Sequence, residues 1–235
     1  MQKLDSAPHY ENPAERRHVL KRQVDARFFE YRRQVRDMLS VIRAIVRRTA
    51  HSGGSVEDFA AHLEGRLGAL ARVQEILMRV GADGADLEEL VSGEFLSEGI
   101  PQQRVTVEGP RVRLGNRVAE PLALAVHELT TNAIKFGALS GPQGRIAVCW
   151  NIDSHDPQRI RLDWREHGIS LVTNAPRVVG FGTELIETTL PYELRARTSL
   201  DFAPGGVHCL IELHAEAPQD DDENERTSDD PVGDG

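Results

Sequence analysis

Two long runs of apolar residues at helical spacing, separated by a glycine pair, constrain this chain more than any other feature. The first run opens at Asn12-Pro13-Ala14-Glu15, where Asn caps, Pro suits the first helical position and Glu15 stands three residues after the cap. Leu20, Val24, Phe28, Tyr31, Val35, Met38, Ile42 and Ile45 then recur in steps of three and four and keep to one stripe. The stripe reaches about Thr49, long for an isolated globular helix, and its near-heptad spacing predicts packing along a partner helix. His51-Ser52-Gly53-Gly54 ends it. Ser55 and Asp58 form a second capping signal, followed by a stripe of Phe59, Leu63, Leu67, Leu70, Val73 and Leu77. Two such helices joined by a glycine turn predict an antiparallel hairpin with an uncovered apolar edge. A second copy of the chain covers that edge in a dimeric four-helix bundle, so a homodimer is expected through residues 30–78.

After Gly81 the pattern changes. Asp86 to Phe95 reads as a short helix, and Val105, Val107, Val112 and Leu114 alternate as strands around Gly109-Pro110. Val118 to Phe136 reads as a helix, Arg145 to Trp150 and Ile160 to Trp164 as strands, and Gly182 to Leu190 as a helix. Thr198 to Phe202 and Val207 to Leu213 close the chain as a hairpin turned at Pro204-Gly205-Gly206. Helices and strands mix without strict βαβ alternation, which predicts an α+β layered domain.

The net charge of -9 divides unevenly. Residues 216–235 hold nine acidic residues and one basic, a net of -8, and cannot bury enough apolar surface to order themselves. Residues 1–50 hold twelve Lys or Arg against six Asp or Glu, a net of +6. The basic arm lacks interleaved aromatics at a reading surface, so nucleic acid is not an expected partner. No apolar run approaches a bilayer's thickness and no signal-peptide core opens the chain, so a soluble cytoplasmic protein is expected. Cys149 and Cys209 lie far apart in apolar stretches and read as buried thiols, not a bridge.

The chemistry concentrates in His127-Glu128-Leu129-Thr130-Thr131-Asn132-Ala133-Ile134-Lys135-Phe136-Gly137-Ala138-Leu139-Ser140. Helical spacing puts Leu124, Glu128, Asn132 and Lys135 along one face, where a carboxylate, an amide and an ammonium converge. An amide oxygen is a ligand for a magnesium ion that bridges phosphates, and a nearby ammonium offsets phosphate charge. Glu128 and Lys135 taken alone also suit plain surface charge.

This stretch resembles the N box of the histidine-kinase, gyrase, Hsp90 and MutL class of ATP-binding domains. In particular it resembles the HWE-type histidine kinases, named for a His in this box and a Trp-x-Glu further on, here His127 and Trp164-Arg165-Glu166. Gly180-Phe181-Gly182-Thr183-Glu184-Leu185-Ile186 is similar to the second glycine box of that family, and the resemblance runs from about Phe29 to His214. It implies a helical hairpin followed by an α/β two-layer sandwich, with ATP and Mg2+ as cofactors. Residues 1–28 form a basic extension running into the first helix. Residues 29–97 form the hairpin and connector, 98–215 the ATP-binding domain and 216–235 the acidic tail. Asn132 would hold magnesium, Lys135 would approach the phosphates and Glu166 would accept from the adenine amino group. Glu128 would orient metal waters or the attacked phosphate, with His127 beside it in the catalytic set. Gly168, Gly180 and Gly182 would let backbone approach the nucleotide, and the segment between Gly168 and Gly180 would be the lid. His127 and Trp164 both have plain structural readings, a hydrogen-bonded core histidine and a packing indole.

Two departures stand against that pattern. Where the family carries its phosphoacceptor His, followed by a basic residue, Val, a basic residue and Asn, this chain reads Arg33-Gln34-Val35-Arg36-Asp37. A guanidinium stays protonated and offers no lone pair, so Arg33 is no nucleophile toward phosphorus. Of the other histidines near the hairpin, His18 lies about four helical turns before Arg33, too far to replace it, and His51 and His62 read by default as exposed polar residues. His167-Gly168-Ile169-Ser170 stands where relatives show Gly-Gly-Pro. With few residues before the hairpin, no sensor domain is expected, and input would come from the basic arm or a partner. The expected function is a two-component signalling protein that dimerises and binds Mg-ATP without autophosphorylating at the usual position. It would act with a response-regulator receiver domain or a partner kinase. A non-catalytic docking module or phosphotransfer-like adaptor with vestigial ATP binding is the alternative. An ATPase of the gyrase or MutL type is disfavoured for want of a transducer domain after Leu213.

Overall fold

The computed structural model describes residues 13–51, 55–168, 180–203 and 206–216. The chain divides into two compact units, Met1–Ala50 and His51–Gly235. Helix α1 spans Pro13–His51 and makes up the described part of the first unit. Its stripe is open over Val24, Phe28 and Tyr31, each more than half exposed, and closes toward the end of the helix, where Ile45 is buried. Arg33 is exposed on the same helix.

In the second unit, α2 (Val56–Val80) starts with the capping box expected from Ser55 and Asp58. The Ser55 hydroxyl accepts the Asp58 N–H at 3.1 Å, and the Asp58 carboxylate accepts the Ser55 N–H at 3.2 Å. The apolar edge of α2 differs from expectation. Leu70, Val73 and Leu77 are buried within the chain, where α2 runs against α3 (Leu87–Ser97) and α4 (Asn116–Lys135). The direction is antiparallel to α4, since Arg66 meets Glu128 while Gln74 Nε2 donates to Glu120 Oε1 at 2.7 Å. Periodicity marks an apolar face but not what covers it, and here α4 covers it.

The strands are β1 (Ala85–Asp86), β2 (Val105–Glu108), β3 (Arg113–Leu114), β4 (Arg145–Ile152), β5 (Arg159–His167), β6 (Arg197–Ala203) and β7 (Gly206–His214). Five of them form one mixed sheet in the order β2-β4-β5-β7-β6, with β2 parallel to β4 and the other neighbours antiparallel. The residues on either side of Gly109-Pro110 do not pair with each other. β2 joins the main sheet and β3 pairs with β1. One face of the sheet is the core, built by Ile146, Val148, Trp150, Ile160, Leu162, Trp164, Cys209, Ile211 and Leu213. The other face carries polar pairs such as Arg165 with Asp163 and His208 with Asp163. The helices cover the apolar face, with the Phe95 ring of α3 tilted against Trp164 at 5.7 Å between centroids. This is an α+β fold, a helical N-terminal part followed by a mixed sheet with helices on one side.

After β5 the described chain resumes at Gly180, and Phe181–Leu194 is helical throughout: α5 (Phe181–Glu184), a π turn over Leu185–Thr189 and α6 (Leu190–Leu194). The expected lid, the basic arm before Pro13, the turn at Pro204-Gly205 and all but the first residue of the acidic tail lie outside the described residues. Both cysteines are free, and burial pushes the Cys209 thiol up to about 12. Among the described residues no helix is long and apolar enough to cross a membrane.

Candidate functional site

The motif residues gather around the C-terminal half of α4. Leu122–Thr130 are all buried, so this stretch is covered all round, and the helix emerges only in its last turn. The face holding Leu124, Glu128, Asn132 and Lys135 is therefore divided: Leu124 and Glu128 are buried, Asn132 and Lys135 exposed. Backbone turns the chain sharply after Lys135, with the Gly137 N–H donating to the carbonyls of Asn132 and Ala133. A 3-10 turn at Ala138–Ser140 follows. Arg104 holds this loop from the sheet side, donating to the carbonyls of Ala138 and Gly144 at 3.0 Å each and also to that of Gly141.

Glu166 comes to the loop from β5. Its carboxylate accepts the Ala138 N–H at 2.7 Å and the Trp164 indole N–H at 3.4 Å. Residues two apart on a strand share a face, so the Trp-x-Glu spacing places the indole beside the carboxylate. Trp164 itself is fully buried in the core. Burial pushes the Glu166 carboxyl above its ordinary range, against the pull of the two donors. The approach depends on Gly137, because a Cβ there would lie 2.1 Å from Glu166 Oε2.

The second glycine segment reaches α4 from the other side. A Cβ on Gly182 would lie 2.8 Å from the Glu128 Cβ. Gly180 caps α5 in extended backbone, and Gly168 has φ 80°, the left-handed region that favours glycine. Glu128 is not open to solvent. Arg66 of α2 donates Nε to Oε1 at 2.7 Å and Nη2 to Oε2 at 3.1 Å, a bidentate ion pair in which both groups are buried. The same guanidinium lies 3.8 Å from the centre of the Phe181 ring. At the exposed end of α4, the Lys135 ammonium contacts His62 Nε2 of α2. An ammonium only donates, so Nε2 carries the lone pair and the proton of His62 sits on Nδ1. Burial, then Lys135 and Arg66, hold His62 below its usual range.

His127 points into the same packing. Its Nδ1 lies 2.7 Å from Glu94 Oε1, and the other Glu94 oxygen accepts from Arg72. Burial raises the Glu94 carboxyl, but the bonds to His127 and Arg72 outweigh it and hold the group below the usual carboxylate range. Glu98 adds a third ligand-type group, with donor atoms of Glu94, Glu98 and His127 all within 4.8 Å. With both Glu94 oxygens taken and a guanidinium on one of them, this is an ion-pair network and not a cation cage.

The structure thus brings His127, Glu128 and Gly182 together at one level of α4, and Glu166 against the loop that leaves it. Arg33 is on the separate first unit. Sequence reasoning missed Arg66, Glu94, Arg104 and Gly137. Gly137 stood inside the motif already singled out, whereas nothing near Arg66 in sequence marks its partner, which is distant along the chain. The exposed Asn132 amide suits a magnesium nucleotide as it stands, and the Lys135 ammonium suits its phosphates once it leaves His62. Glu128 suits one only when its carboxylate is released.

A helical segment followed by this mixed sheet, with glycine-bounded motifs around one helix, is the architecture of a histidine-kinase catalytic region. The solved structure of a blue-light-activated histidine kinase from Erythrobacter litoralis superposes with a TM-score of 0.57, covering 78% of this chain and 59% of that one at 15% identity. The histidine kinase domain from the same source gives 0.51, covering 76% and 94% at 16% identity. In sequence, residues 30–111 match the HWE histidine kinase family. Blue-light-activated histidine kinase 1 of Erythrobacter litoralis is 32% identical over 199 residues, 81% of this chain and 53% of that protein. The blue-light-activated histidine kinase of Brucella ovis is 28% identical over 189 residues, 79% of this chain and 38% of that protein. The chain belongs to the HWE histidine kinase family and spans about half or less of the relatives it matches.

Proposed function

We propose that the chain is a histidine-kinase-type signalling module that binds Mg-ATP in residues 98–215, dimerises through residues 30–78 and does not autophosphorylate at position 33. The observation that carries this reading is the convergence of Glu128, Gly182, Glu166 and Gly137 around the end of α4, set against an arginine on α1 where the family has its acceptor. Asn132 would hold the magnesium through its amide oxygen, and Lys135 would balance phosphate charge. Glu166 would accept from the adenine amino group, with Gly137 keeping the approach to its carboxylate open. Glu128, once released, would orient the metal's waters. The bound nucleotide supplies a transferable phosphoryl group. Arg33 cannot take it, so the receiving histidine would belong to a partner kinase, or the nucleotide would act as a regulator of docking to a response-regulator receiver domain.

The exposed stripe on α1 supports dimerisation, because a second copy presents the same stripe and a symmetric contact covers both. A second reading, a non-catalytic docking module with vestigial ATP binding, is favoured by the closed Arg66–Glu128 pair. Titration of the purified chain with Mg-ATP separates the two. The first reading expects saturable, magnesium-dependent binding that Asn132→Ala weakens more for Mg-ATP than for free ATP. Absence of binding supports the docking module.

A further inference from the structure

Two groups that the nucleotide reading needs at the phosphate end of α4 are already engaged, and both by α2. Arg66 occupies both oxygens of Glu128 and stacks on Phe181, the middle residue of the second glycine segment. One turn earlier on α2, His62 accepts from the Lys135 ammonium. His62 and Arg66 are four residues apart and share a face of α2. Glu128 and Lys135 are seven apart and share a face of α4. The seat of α2 is also shaped for close approach, since a Cβ on Gly65 would lie 2.8 Å from His127 Nε2.

We infer that α2 is a latch on the nucleotide face of α4, with Arg66 as its catch, and that Mg-ATP loading requires α2 to withdraw. The inference rests on the nucleotide reading above and names the regulation of that same site. The guanidinium fork occupies one acceptor direction on each Glu128 oxygen, and burial under α2 closes the rest to solvent, so Glu128 cannot serve metal waters while Arg66 holds it. Arginine suits this task better than lysine, because its planar fork spans both oxygens while its face lies on an aromatic ring. The latch is openable because the cost of desolvating a buried ion pair largely offsets its attraction, so the pair adds little net stability of its own. On opening, a metal near Glu128 and phosphates near Lys135 would compensate those two charges, and the Arg66 guanidinium would rehydrate. By linkage, closing the latch lowers apparent nucleotide affinity by the closed fraction, and nucleotide in turn disfavours α2 docking.

The test is Mg-ATP affinity of the full chain by calorimetry for the unmutated protein, Arg66→Met and Arg66→Lys, with amide hydrogen exchange of the unmutated protein read in parallel. Arg66→Met should bind about tenfold more tightly, the factor expected if a mostly closed state is opened, and Arg66→Lys should fall between. Residues 61–70 of the unmutated protein should exchange faster when Mg-ATP is added. Equal or weaker binding by a folded Arg66→Met, or unchanged or slower exchange in α2 on saturation, overturns the latch while leaving the nucleotide reading in place. If Arg66→Met does not fold, the exchange arm decides alone. No binding by any form at millimolar nucleotide overturns the nucleotide reading and the latch with it.

Discussion

Helices α1 and α4 are both named by the family resemblance, and the structure treats them in opposite ways. On α4 and its surroundings each polar motif residue that is buried has a specific partner: Glu128 has Arg66, His127 has Glu94, and Glu166 has Ala138 and Trp164. On α1 Arg33 is exposed, and the apolar residues Val24, Phe28 and Tyr31 on the same helix are more than half exposed. The surroundings of α4 are thus held by their own packing, whereas α1 carries exposed apolar side chains along much of its length. Because Arg33 is exposed, a substitution at this position costs the fold almost nothing.

The largest expected effect tests the packed half. Trp164→Ala removes a fully buried ring from against Phe95 and takes one donor from Glu166. Such truncations cost about 3–5 kcal/mol, so chemical denaturation should show a strongly lowered midpoint. A change under about 1 kcal/mol would mean the core is not centred on this indole.

Next comes the open half. Val35→Asp with Met38→Asp places two carboxylates on the α1 stripe, and burying an unpaired charge against a second copy costs several kcal/mol. Light scattering should report a dimer for the unmutated chain at micromolar concentration and a monomer for the variant, with circular dichroism unchanged. A monomeric unmutated chain would remove the second copy as the completing partner. Leu70 is the wrong probe for this question, since it is buried within the chain and Leu70→Asp would unfold the second unit.

A smaller effect follows from the opposite displacements of two buried carboxyls. Burial raises Glu166, so its contribution to stability is full below the ordinary carboxylate range and is lost as pH rises through its raised value. Glu94 is held low by His127 and Arg72 despite burial, so its contribution is present above the ordinary range and is lost as pH falls through its lowered value. Glu166→Gln should therefore raise unfolding stability at pH 7 without nucleotide, and the gain should vanish toward pH 4. Glu94→Gln should lower stability at pH 7 and converge with the unmutated chain in acid. Parallel pH profiles for the two variants would contradict these environments.

The smallest effect belongs to Arg33→Ala. An exposed helical side chain, with surface ion pairing worth about 1 kcal/mol at most, should leave the melting curve nearly unchanged.

Much of this comparison was legible from residue order. The Ser55/Asp58 capping box, the boundaries of α2 and α4, and the pairing of Trp164 with Glu166 follow from local rules that act within a few residues. The parallel pairing of β2 with β4 was not legible, because Val105 and Val107 alternate equally well in any sheet position. Nor was the burial of Glu128, since helical spacing assigns it a face and only the distant Arg66 on α2 decides that this face is covered. The π turn at Leu185–Thr189 likewise has no local signal in a run that reads as an ordinary helix.

Under the proposed function, Mg-ATP binds beside α4 and only the missing imidazole at position 33 keeps α1 from being phosphorylated. Incubation of the unmutated chain, Arg33→Ala and Arg33→His with γ-labelled Mg-ATP tests it directly. A histidine at this exposed position brings a neutral imidazole with a pKa near about 6.5, able to attack phosphorus at neutral pH. Arg33→His should carry acid-labile, base-stable label and the other two none. Strong label of that kind on the unmutated chain, retained in Arg33→Ala, would contradict the proposed function.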